Sequence, residues 1–279
     1  MISRNLIQRI AVAAVAIPAI LFLAFRGGDL FLYFVLLLAS VGMIEYLKNG
    51  HMAVHSPLFF LPFMGAVAAV YLSATGRGEY GVFSLLGVFL VVGVLLAVGS
   101  DPVERLFSRL TYIVWGNFYI GFLYPFVYLI RGQAGWMEPA PGRWWLFLLL
   151  GSLWLGDTAA MFFGKSFGRH KLAPTVSPNK TIEGFIGGFI GVIVAAMVFK
   201  IFWLREIPAY HFLLISLLVG LFGQLGDLVE SLWKRSLGIK DSSHIIPGHG
   251  GVLDRFDSLL FSAPVLYLYL KYVLHLGWL

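Results

Sequence analysis

Nine runs of about twenty mostly apolar residues govern what this chain can become. They fall at 7–25, 30–47, 57–74, 80–99, 111–130, 144–163, 184–203, 209–228 and 257–277. A bilayer's hydrocarbon core is about 30 Å thick and a helix rises about 1.5 Å per residue, so each run is long enough to cross it. The 279 residues are 59% hydrophobic and only 12% charged. That composition leaves too few charges to cover a water-facing surface, and it excludes a soluble globular enzyme and a disordered chain. With no cysteine, a disulfide scaffold, thiolate metal sites, thiol nucleophiles and iron–sulfur ligation are excluded as well. The expected fold is an all-α polytopic membrane protein of about nine transmembrane helices.

Lys and Arg set the expected orientation. With the N-terminus cytoplasmic, 13 of the 20 basic residues fall in inner segments and 7 in outer ones, as the positive-inside rule requires. The formal charge of +6 is then a property of cytoplasmic loops and needs no nucleic-acid partner. Trp136, Trp144, Trp145, Trp203 and Trp278 sit at the ends of expected spans, where amphipathic rings favour the interface. Arg26-Gly27-Gly28-Asp29 follows the first run without a small-residue cleavage pattern, so that run is expected to stay as a helix. Residues 1–110 read as a transmembrane scaffold. Residues 111–279 read as a catalytic region with two cytoplasmic loops, 164–183 and 229–256.

Charge is concentrated around those loops. Windows 157–183 and 227–257 hold 15 of the 34 charged side chains. Loops obeying the positive-inside rule account for Lys165, Arg169 and Lys171, but not for acids at the helix ends. Asp157 lies about two turns, or about 9 Å, inside the sixth run. Asp227 closes the eighth run, and Asp254 and Asp257 open the ninth. Ionisable groups at membrane depth are costly, and they point to a functional site. On a helix that continues past the membrane, Asp227, Glu230 and Lys234 share a face; so do Asp254 and Asp257. Clustered carboxylates repel unless a cation lies between them, and hard oxygen donors suit Mg²⁺. Asp254 has a second reading, as a cap for the last helix.

Between these acids runs Lys240-Asp241-Ser242-Ser243-His244-Ile245-Ile246-Pro247-Gly248-His249-Gly250-Gly251, whose glycines suit a backbone phosphate cradle. Its two histidines lack a third ligand, which argues against zinc. Gly164-Lys165-Ser166 resembles the end of a P-loop, but Ala159 replaces the required glycine and a membrane helix replaces the strand. In Ser177-Pro178-Asn179-Lys180-Thr181-Ile182-Glu183-Gly184, Ser177 or Thr181 is placed to cap the seventh helix, and Lys180 beside its N-terminus forms an anion site. The pairs Gly184/Gly188 and Gly187/Gly191, with Gly220, Gly223 and Gly226, allow close helix packing.

These residues carry a resemblance. Ser231-Leu232-Trp233-Lys234-Arg235, Lys240-Asp241 and Pro247-Gly248-His249-Gly250-Gly251-Val252-Leu253-Asp254-Arg255-Phe256-Asp257 together resemble the signature of phosphatidate cytidylyltransferases (CDP-diacylglycerol synthases). The 177–184 and 226–231 segments resemble neighbouring blocks of that family; Met161 stands where the family pattern has a tyrosine. The resemblance implies an inner-membrane, homodimeric nucleotidyltransferase of phospholipid biosynthesis that makes CDP-diacylglycerol and pyrophosphate from CTP and phosphatidate with Mg²⁺. It implies Asp227 and Asp254 as metal ligands, with Asp257 or Glu230 as further ones. Lys234, Arg235, Lys240 and Arg255 would contact phosphates. His249, Gly250 and Gly251 would shape the phosphate loop, with Asp241 beside them. Ser177, Lys180 and Thr181 would bind CTP or the lipid headgroup, and Glu183 and Asp157 would orient the bases. Two alternatives stay open: a CTP-dependent polyprenol kinase or other lipid-phosphate cytidylyltransferase, and an ion-coupled transporter. The transporter reading suits midplane acids, whereas here the acids gather at one face.

Overall fold

The structure is a computed structural model that describes residues 4–99, 102–132 and 142–276. Trp136 and Trp278 lie outside the described residues. The chain runs through α1 (Arg4–Arg26), α2 (Gly28–Asn49), α3 (Pro57–Ala74), α4 (Gly78–Ala97), α5 (Val103–Gly116), a π-helical turn (Asn117–Phe122) and α6 (Pro125–Arg131). It continues through α7 (Gly142–Phe167), β1 (Lys171–Ala173), β2 (Ser177–Thr181), α8 (Ile182–Phe202), α9 (Ala209–Ser236) and α10 (Leu253–Tyr272). The architecture is nearly all-helical. Eight helical stretches among the described residues are long and apolar enough to cross a membrane. Their outward side chains, such as Phe83, Leu90 and Val94 on α4 or Ile186 and Val194 on α8, are exposed. Such faces would be a liability in water but are solvated by lipid tails.

Two elements differ from the sequence expectation. The expected ninth span is α10, whose ends carry Asp254, Arg255, Asp257 and Lys271, so only 258–270 is free of charge. Length and apolarity alone therefore do not place it with the other eight. The 164–183 loop is not plain coil: β1 and β2 pair antiparallel, Lys171 opposite Thr181 and Ala173 opposite Ser177. A two-stranded ribbon has only edges, so Pro178 costs it no essential ladder bond.

The chain forms two compact units: Met1–Ile17, Asp29–Tyr128 and Asp241–Arg255 make the first, and Pro18–Gly28, Leu129–Lys240 and Phe256–Leu279 the second. In the first, Tyr46 and Tyr112 stack at 4.4 Å, and each phenol donates to the other's backbone carbonyl, at 2.8 and 2.6 Å. That reciprocal lock fixes α2 against α5. In the second, buried Arg131 donates to the Ala24 and Phe25 carbonyls at the end of α1. A cation there satisfies carbonyls that have no helical partner.

Glycines bring α7, α8 and α9 of the second unit together. A Cβ on Gly187 would lie 2.5 Å from the Phe163 ring, and one on Gly191 2.6 Å from the Leu155 carbonyl oxygen. A Cβ on Gly226 of α9 would lie 2.7 Å from the Asp257 carbonyl oxygen. The small-residue pairs therefore act in packing, as their spacing indicates. At 28 residues, α9 is roughly 42 Å long, about 12 Å more than the hydrocarbon core. The excess carries Glu230, Lys234 and Arg235.

Candidate active site

In the second unit a cleft of about 490 Å³ opens between the end of α7, the hairpin and α9. Asp157, Lys165, Lys180, Gln224 and Asp227 supply its charge and polarity, and Met161 forms part of the apolar wall. Local chemistry holds the hairpin in place. Thr181 caps α8 by accepting the Gly184 N–H at 3.1 Å. Glu183 accepts the Arg169 N–H at 3.0 Å and pairs with the His170 ring at 2.7 Å. Glu183 thus organises the chain beside the cleft. Ser177 starts β2.

Lys180 reaches the cleft from β2 and meets Asp227 of α9, Nζ to Oδ2 at 2.7 Å. The two side chains are 26% and 36% exposed, so this pair is open to ligands and weak enough to exchange partners. Ser231, one turn on, donates to Asp227 Oδ1 at 3.3 Å. Deeper in, Glu230 is fully buried and pairs with Lys234 at 3.3 Å. Asp257 lies within electrostatic reach of Glu230, Asp227 and Lys234. Two carboxyl groups that close together share either a proton or a cation. The helical face expected from the sequence is therefore real, and Asp257 joins it. Arg235 is exposed and donates to the Ile239 carbonyl at 2.7 Å, tying off the end of α9; Lys240 is exposed beside it.

The glycine-rich loop belongs to the first unit, and its backbone is already engaged. Asp254 Oδ2 accepts Ser242 N–H at 2.8 Å, Ser242 Oγ–H at 2.9 Å and Gly251 N–H at 2.8 Å. Asp254 lies in the first turn of α10 and bonds back to the loop before it, not to the first N–H groups of its own helix. The His249 N–H goes to the Ile246 carbonyl, and the Ile246 N–H to the Gly250 carbonyl. Gly250 has φ +83°, and a Cβ there would lie 2.7 Å from Asp254 Oδ2, so glycine is required twice over. His249 keeps its Nδ1 buried without a hydrogen-bond partner among the described residues. Asp241 and Arg255 are exposed at the two ends of the loop.

Sequence reasoning missed Glu45. It sits inside α2, is 3% exposed, and accepts the Val252 and Leu253 N–H groups at 2.9 and 3.0 Å. Those N–H groups open α10 and have no acceptor within the helix. The only signal was a carboxylate placed inside an apolar run. Gln224 and His170 were also missed; each is polar but belongs to no recognisable motif.

Among the described residues no three His, Cys, Asp or Glu side chains form a ready metal cage. Mg²⁺ rarely needs one, because it binds one or two carboxylates and fills its octahedron with water and substrate phosphate. Asp227, with Asp257 and Glu230 behind it, fits that pattern of hard oxygen donors.

The family whose sequence pattern matches residues 7–273 is described as the cytidylyltransferase family. The chain belongs to it. The cytidylyltransferase match spans both the cleft and the Glu45-held loop. Among curated relatives, the phosphatidate cytidylyltransferase of Staphylococcus epidermidis is 35% identical over 264 residues, 92% of this chain and 96% of that one. That of Bacillus subtilis is 44% identical over 161 residues, 58% of each chain. That of Staphylococcus aureus is 45% identical over 148 residues, 53% of this chain and 54% of that one.

Proposed function

We propose that this membrane cytidylyltransferase acts on phosphatidate, converting it and CTP into CDP-diacylglycerol and pyrophosphate. A phosphatidate oxygen attacks the α-phosphorus of CTP, the bond to the bridging oxygen breaks, and pyrophosphate leaves with that oxygen. The nucleophile is a phosphate monoester with a second pKa near 6, so most of it is already ionised at neutral pH and needs no strong base. The barrier is charge: one anion must approach a more anionic one. Cationic groups that hold both phosphates in line remove much of that barrier.

The observation that carries this reading is the Lys180–Asp227 pair, 2.7 Å apart at the cleft. An incoming phosphate takes Lys180 from Asp227, and the released carboxylate is then available to a cation. Lys234 balances Glu230 within the same face and adds positive potential. Bound Mg²⁺ would be held by Asp227, with Asp257 and Glu230 as further donors, and would supply charge neutralisation at the α-phosphate. Ser177 and Thr181, on the same strand as Lys180, would join it in binding CTP or the lipid headgroup. Exposed Arg235, Lys240 and Arg255 would draw CTP from solution. The cleft would open at the cytoplasmic face, a reading supported by the 13 of 20 basic residues that fall on that side under an N-in topology. The protein would work in the bacterial cell membrane, as a homodimer; its native mass in detergent would test the latter.

The deciding experiment supplies purified protein with dioleoyl phosphatidate, labelled CTP and Mg²⁺, with and without EDTA. CDP-lipid and pyrophosphate in equal amounts, abolished by EDTA, are expected. CDP with a phosphorylated polyprenol would replace this reading by a lipid kinase, and ion flux without CTP use would replace it by a transporter.

A further inference from the structure

The 241–255 loop has no long regular structure, yet it is pinned along its length. Glu45 Oε1 accepts Ser243 Oγ–H at 2.6 Å and Val252 N–H at 2.9 Å. Its Oε2 accepts Leu253 N–H at 3.0 Å and faces Ser242 Oγ at 3.1 Å. Asn49, one turn further along α2, donates to the Ser242 carbonyl at 2.7 Å. Arg9 of α1 donates to the Gly248 carbonyl at 2.9 Å. Packing is equally close: a Cβ on Gly251 would lie 2.7 Å from both Glu45 carboxylate oxygens.

A carboxylate buried to 3% is an expensive way to fill space, because apolar residues of similar volume usually stabilise at least as well. What a carboxylate adds is direction: two acceptors that read two successive amides and the Ser243 hydroxyl at once. Glu45 therefore determines where the first turn of α10 begins. That turn carries Asp254, buried in the same network, and Arg255, whose guanidinium emerges into solvent.

We propose that Glu45 is a positioning residue for cytidylyl transfer. It touches no substrate, but it fixes the loop and the first turn of α10, and so sets the direction of Asp254 and Arg255. The inference rests on the activity proposed above. It also explains why a chain of this kind keeps an acid inside an otherwise apolar second span.

The test uses the full-length protein in detergent and compares wild type with Glu45→Gln and Ser243→Ala. kcat, KM for CTP and for phosphatidate, melting temperature and amide exchange over 242–255 are measured. The amide NH₂ of a glutamine cannot accept the Leu253 N–H, so Glu45→Gln should free one end of the loop. Displacement of catalytic groups by about an ångström costs up to about 100-fold. We expect kcat to fall about 30-fold in Glu45→Gln and about 3-fold in Ser243→Ala, within that range. KM for phosphatidate should stay nearly constant, and exchange should quicken only within 242–255. Unchanged kcat in both variants overturns the inference. So does a loss that tracks the folded fraction alone. If Glu45→Gln does not fold, Ser243→Ala decides by the same criteria. Wild type that makes no CDP-lipid would remove the activity and this inference together, whereas active wild type with unaffected variants removes only the inference.

Discussion

Asp254 in the first unit and Asp227 in the second have surroundings that differ in kind. Asp254 is 8% exposed, and one of its oxygens takes two backbone N–H groups and a hydroxyl from its own loop. Asp227 is 36% exposed and faces the ammonium of Lys180 at 2.7 Å, at the edge of a cleft. Backbone donors are part of the fold and cannot be traded without unfolding the loop. A lysine on a four-carbon stem can leave for a phosphate. The same residue type is thus tied into the backbone in one unit and held by an exchangeable side chain in the other, and the partner decides which. Glu45 and Glu183 follow the first pattern, since both accept main-chain N–H groups.

Substitutions can break or sharpen this contrast. Asp227→Asn keeps the shape but removes the charge, and should lower CDP-lipid formation on the order of 1,000-fold with melting temperature nearly unchanged. A turnover close to wild type would move the chemistry elsewhere. Lys180→Ala should cost about 100-fold in kcat, and Lys180→Arg less, since charge is kept and geometry is not; equal losses in both variants would assign Lys180 a structural task. At Gly250 of the first unit the effect should appear as stability. Gly250→Ala forces a side chain into φ +83° against Asp254, which should cost about 1–3 kcal/mol, read from thermal melts in detergent. The smallest effect is expected at the helix cap: Thr181→Ala should cost about 1 kcal/mol, and Thr181→Ser should restore most of it. If the Gly250 variant melts as wild type does, glycine is not required there and the strain argument fails.

Much of the cleft was legible beforehand because its signals are local. Asp227, Glu230 and Lys234 share a face by helical spacing alone, and α9 does run on to Ser236. Thr181 has the residue type and place of a cap, and it is one. The glycine pairs were legible for the same reason, since spacing of four puts them on one helix face. Glu45 was not, because its partners Ser242, Ser243, Val252 and Leu253 lie 197 to 208 residues away. Inside an apolar run it carries no periodic signal that separates it from a polar residue at a span end. The β1–β2 hairpin was missed because five residues containing a proline have too weak a strand signature to stand out.

The sequence alone determined that this chain must live in a bilayer, roughly where each helix begins and ends, and which two segments hold its charge. Those follow from transfer free energies and helical spacing, which act on neighbouring residues. Only the tertiary structure decided which carboxylates bond to backbone amides and which stay available to a cation. That choice depends on what distant segments place within 3 Å of each oxygen, and a buried charge takes its role from those partners.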